Sequence, residues 1–125
     1  MRKLFRFKYE ECNGTCYAYG PAFKEELSKL TDLDSVIDPV VEAHDHMCDN
    51  PDYSFGIDMN DDGIYVGFIK TPVRVDTYTD TSFIAMCEKL NKDVMAMDIP
   101  PVDGQCEYGH TGLEDLKGKI RSLAS

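Results

Sequence analysis

Between Lys29 and Lys70 the chain has no lysine and no arginine. The same stretch carries ten acids: Asp32, Asp34, Asp38, Glu42, Asp45, Asp49, Asp52, Asp58, Asp61 and Asp62. The other 13 acids are matched by 13 bases, so the net charge of −10 belongs wholly to this segment. Such a balance is repelled by phosphate and argues against direct binding of nucleic acid. The basic residues cluster only in a short strip, Arg2 to Lys8.

Other absences narrow the field further. No run approaches the roughly 18 consecutive apolar residues of a membrane span, and "MRKLFRFKYE" has no apolar core of secretory length. The expectation is a cytoplasmic protein that does not engage a membrane. There is no Gly-rich P-loop and no GxGxxG after a strand, so phosphate chemistry has no visible cradle. The five cysteines, Cys12, Cys16, Cys48, Cys87 and Cys106, are odd in number and form no CxxC pair. They read as reduced thiols, several serving as small apolar residues, and not as a disulfide framework.

At 125 residues the chain is expected to form one domain, 1–125, large enough for its own core. Phe5, Phe7 and Tyr9 alternate with Arg6 and Lys8, giving a first strand near 3–11. "NG" at Asn13–Gly14 signals a two-residue turn, with a return strand to Tyr19 that sets Tyr9 opposite Ala18. Pro21 opens a helix with Phe23, Leu27 and Leu30 on one side. Asp38 as N-cap with Pro39 at N1 suggests a second, short helix to about Cys48.

Tyr53, Phe55, Ile57 and Met59 alternate, and Ile64, Val66 and Phe68 answer them across "NDDG". Loops of two or four residues would put all seven on one face. A strand follows near Val73–Tyr78, then a helix from about Asp80 or Thr81. "VMAMDI" suggests an edge strand stopped by Pro100–Pro101. "TGLE" reads as a capping box, with Thr111 and Glu114 opening a last helix. The fold class is therefore α+β: a mainly antiparallel sheet from two hairpins (about 3–19 and 53–70) with about four helices packed on it.

Three motifs resemble chemistry. "DMNDDG" places Asp58, Asn60 and Asp62 at alternate positions, as a calcium loop does. The twelfth position, however, is Ile69, where such a loop needs a bidentate carboxylate. A hairpin turn is the better reading. His44 and Cys48 stand at i, i+4 on a helix, and Cys106 and His110 in "CEYGH" could complete a four-ligand zinc site. That set defines the alternative reading, a metal-dependent protein, possibly a hydrolase. A cysteine nucleophile such as Cys106 with a histidine base lacks any local signature.

The charge carries the leading reading: a small intracellular protein that occupies a basic surface of a protein partner, such as a nucleic-acid-binding protein. Inhibitors, immunity proteins and nucleic-acid mimics work in this way, by ordered carboxylates in place of phosphates. Binding is favoured over catalysis, with no cofactor. Glu42, Asp45, Asp49, Asp58, Asp61 and Asp62 are the expected contacts, on one continuous negative face.

Overall fold

The computed structural model describes residues 2–7, 18–47, 50, 52–100 and 112–124. The elements run β1 (Arg2–Phe7), β2 (Ala18–Tyr19), α1 (Pro21–Ser28), α2 (Asp34–Met47), β3 (Ser54–Met59), β4 (Tyr65–Lys70), β5 (Val75–Asp80), α3 (Phe83–Met95) and α4 (Leu113–Ser122). The strands form one antiparallel sheet in the order β2-β1-β3-β4-β5, and the fold is α+β as its alternating strands and amphipathic helices imply.

One face of the sheet is apolar. Phe5, Phe7, Phe55, Ile57, Met59, Tyr65 and Ile69 are all buried there. Phe23 of α1 packs on Phe5 at 4.8 Å, His44 of α2 on Phe7 at 5.3 Å, and Phe83 of α3 stacks on Tyr65 at 5.2 Å. Three helices thus cover the same face, and α4 packs beyond them against α2 through Leu116 and Ile120. A bulge at Leu4, between the Lys3 and Phe5 registers, lets consecutive residues Leu4 and Phe5 both enter the core.

Several local expectations are corrected. Ala18 stands opposite Arg6 and Tyr19 opposite Phe5, not Ala18 opposite Tyr9. The register is tied instead by the Gly20 amide, which donates to the Leu4 carbonyl at 3.0 Å. β1 accordingly lies between β2 and β3, inside the sheet. The Asn13–Gly14 turn itself lies outside the described residues.

The β3–β4 loop has three residues, Asp61 to Gly63, and neither two nor four. The Asn60 amide donates to the Ile64 carbonyl at 2.9 Å, and Gly63 sits at φ 78°, the left-handed position of a bulged three-residue hairpin. That single-residue difference reverses β4. Met59 pairs with Tyr65 and Phe55 with Ile69, so Tyr65 and Ile69 face the core while Val66 and Phe68 turn to the other side.

α2 begins at Asp34, and Pro39 lies within it instead of starting it. Asp32 makes the cap: its Oδ1 accepts from the Asp34 amide at 3.1 Å and its Oδ2 from the Ser35 hydroxyl at 2.9 Å. An interior proline costs about 3 kcal/mol, but Val36, Ile37, Val40 and Val41 are all buried. At about 1.5–3 kcal/mol per buried aliphatic side chain, the continuous apolar stripe wins.

"VMAMDI" is not a strand. Val94 and Met95 finish α3, whose Leu90 and Val94 belong to the same buried stripe as Met86 and Cys87. Ser82 caps this helix by accepting from the Ala85 amide at 3.2 Å. α4 starts after Gly112 with Glu114 exposed in its first turn, and the expected capping box needs a residue besides the described ones. Thr111 lies outside them. No helix among the described residues is long and apolar enough to cross a membrane.

Candidate functional site

The three-residue turn displays its two carboxylates on a fixed frame. Asn60 Oδ1 accepts from the amides of Asp62 at 2.9 Å and Ile64 at 3.0 Å, and the Gly63 amide donates to the Asn60 carbonyl at 3.1 Å. Asn60 is thus the turn's brace, and not a metal ligand with Asp58 and Asp62. Asp61 and Asp62 are both exposed, and no lysine or arginine of the described residues reaches either.

Asp58 is placed differently. It alternates with Ile57 and Met59, so it projects from the face opposite the helices. There Arg6 Nη1 lies 2.7 Å from Asp58 Oδ1, while the same nitrogen donates to the Phe5 carbonyl at 3.0 Å. Oδ1 is buried without an aligned hydrogen bond, so its contact with the guanidinium is ionic. The guanidinium also stands 4.7 Å above the Phe68 ring, which the reversed β4 brings to this side. Gly56 makes the room: a Cβ there would meet the Phe5 carbonyl oxygen at 2.6 Å and Arg6 Cδ at 2.8 Å.

The remaining acids of the base-free segment divide between α2 and its neighbours. Glu42 is exposed and accepts from Asn91 Nδ2 at 3.1 Å, and Asp45 is half-buried on the same helix. Asp34 pairs with Arg121 at 2.5 Å and Asp38 with Lys117 at 3.3 Å, both cations arriving from α4. The hydrogen bond and charge of Asp34 hold the Arg121 guanidinium above its ordinary pKa. Asp49 lies outside the described residues. The expected single negative face is therefore corrected: Asp58 is on the opposite side of the sheet from Glu42, and Asp34, Asp38 and Asp58 are paired with bases distant in sequence.

Of the four residues of the zinc alternative, only His44 is described. It is 3% exposed and packed on Phe7. Cys48, Cys106 and His110 lie outside the described residues, within which no group of three potential ligands converges.

A buried polar pair, with no motif in the sequence, joins α1 to β4. The Tyr65 hydroxyl donates to Glu26 Oε2 at 2.8 Å, and Lys29 Nζ stands 3.4 Å from Oε1. Burial first, then the hydrogen bond and charge of Glu26, push the Tyr65 phenol up to about 12. Such a phenol stays protonated and donates; it is no base at neutral pH. The sequence held a signal for it, since Glu26 falls on the inward stripe of α1 between Phe23 and Leu27. A second polar join ties α2 to the segment after α3: His46 Nε2 lies 2.7 Å from the Met97 carbonyl, and Asn50 Nδ2 donates to the Pro100 carbonyl at 3.0 Å.

No protein family matches the chain, and neither a curated protein nor a solved structure does so.

Proposed function

We propose that this chain is a small acidic binding protein whose Asp61–Asp62 turn enters a basic surface of a protein partner, of the kind built to hold phosphate. What supports the reading above all is the turn itself: two adjacent exposed carboxylates on a backbone already braced by Asn60 and Gly63. A ligand so ordered loses little conformational freedom on docking, which favours affinity. The net charge of −10 adds long-range attraction to a cationic partner and speeds encounter. Glu42 and Asp45 on α2 form a second, separate acidic element. Asp58 serves as the partner of Arg6 and is withdrawn from the contact set.

The test is capture from the native cell at low and high salt, followed by measurement with the purified partner. The wild type should retain a basic protein at low salt and release it at high salt. Asp61→Lys with Asp62→Lys should weaken that complex about tenfold or more. If the reversed variant binds as well as the wild type, the turn is not the contact.

A further inference from the structure

The outer edge of β5 presents backbone groups that no strand among the described residues satisfies. In the β4–β5 hairpin the Thr71 amide donates to the Arg74 carbonyl at 2.9 Å, which fixes the alternation along both strands. Asp76, Tyr78 and Asp80 bond to β4, and Val75, Thr77 and Thr79 turn their amides and carbonyls away from the sheet. Lys89 Nζ reaches the Thr79 carbonyl at 3.3 Å from outside, as that alternation requires. Among the described residues no strand pairs with this edge. Val75 is 55% exposed, and Thr77 and Thr79 are exposed too. The strand has no proline and no bulge, and β-branched residues fill all three outward positions. Against pairing stand Lys89 and the inward-facing Asp76 and Asp80, each of these acids already matched by a cation, Arg74 or Lys89.

We infer that β5 pairs antiparallel with β5 of a second copy, about a twofold axis at Thr77. Charge selects both the occupant and the register. Any pairing that opposes outward-facing residues keeps the helices of both copies on one side, and Val75 on Thr77 would set Asp76 against Asp76 of the second copy. Thr77 on Thr79 would set Asp76 against Asp80, like on like. Thr77 on Thr77 instead sets Val75 against Thr79, Asp76 against Tyr78, and Arg74 against Asp80. In that register the existing pairs Lys89–Asp80 (2.8 Å) and Arg74–Asp76 (3.0 Å) line up across the join as a row of alternating sign. Lys89 gives up its bond to the Thr79 carbonyl and keeps Asp80.

Two copies of charge −10 repel at long range, so screening favours this association. The salt dependence is opposite to that of the proposed partner complex, and either can fail without the other. Sedimentation over a wide concentration range, at low and high salt, is the test. The mass should rise with concentration from 14.1 kDa toward twice that value, and further at high salt. Thr77→Pro removes the amide that crosses the axis and leaves the β4 ladder whole, because that amide points outward. It should stay monomeric with an unchanged circular dichroism spectrum. Should it not fold, Arg74→Glu, at an exposed position, should weaken dimerisation about tenfold, the effect of roughly 1.4 kcal/mol. Asp76→Asn should leave dimerisation unchanged. A wild type that remains monomeric throughout overturns self-pairing, as does a folded Thr77→Pro variant that dimerises normally. Strengthening by Asp76→Asn at high salt, where the repulsion of net charge is screened, overturns the register.

Discussion

Arg6 holds together a corner of the sheet that has no apolar substitute for it. Its guanidinium bonds the Phe5 carbonyl, lies over Phe68 and faces the inaccessible oxygen of Asp58. Arg6→Ala leaves a carboxylate without its counter-charge, and the expected loss in urea unfolding is about 3 kcal/mol. Arg6→Ala with Asp58→Ala should recover part of it, which a double-mutant cycle reads directly. Tyr65 gives a prediction in pH. Its folded pKa, about 12, exceeds its ordinary 10.0, so above pH 10 the unfolded chain sheds the proton first. Stability is complete below about pH 10 and falls between about 10 and 12. Tyr78, raised to about 12 by burial and by Asp93, adds to the same limb. Urea midpoints across that range should fall for the wild type and fall less for Tyr65→Phe. Arg6 and Asp58 were both visible as alternating residues in the sequence. Their partnership was not, because it depends on a register that only the folded sheet defines.

Elements were legible where periodicity is long and obscured where a single residue decides. The stripes of α1 and α4, that of α3 as far as Leu90, and the alternation of β3 could be read directly. The reversal of β4 could not, since "NDDG" fits loops of several lengths and one residue exchanges the two faces. Proline misled in α2. A proline preceded by aspartate suits a helix start, yet four buried aliphatics around Pro39 keep the helix going through it. Replacing that residue should therefore stabilise the protein: Pro39→Ala restores an amide to the helix interior and leaves the Pro39 carbonyl free to accept from Asn91 Nδ2 as before. Thermal and urea unfolding should show a gain of about 1–3 kcal/mol.

For the whole molecule, a segment's charge proved a poor guide to a surface's charge. Ten acids without a base nearby in sequence suggest one patch, but folding brings Arg6, Lys117 and Arg121 to three of them. Arg121 meets Asp34 across a separation of 87 residues, beyond the reach of any local pattern. What survives among the described residues is scattered, Asp61 and Asp62 at a turn, with Asp32, Glu42, Asp45 and Asp52 elsewhere. The core has its own lesson in Cys87, fully enclosed on α3 beneath the sheet, where burial drives its thiol far above the ordinary range. Neither a bulky alkylating reagent nor hydroxide can reach that sulfur while the domain is closed. Its labelling should therefore keep time with complete opening of the fold, slowing and quickening with unfolding free energy across the variants above, a clock built into the core itself.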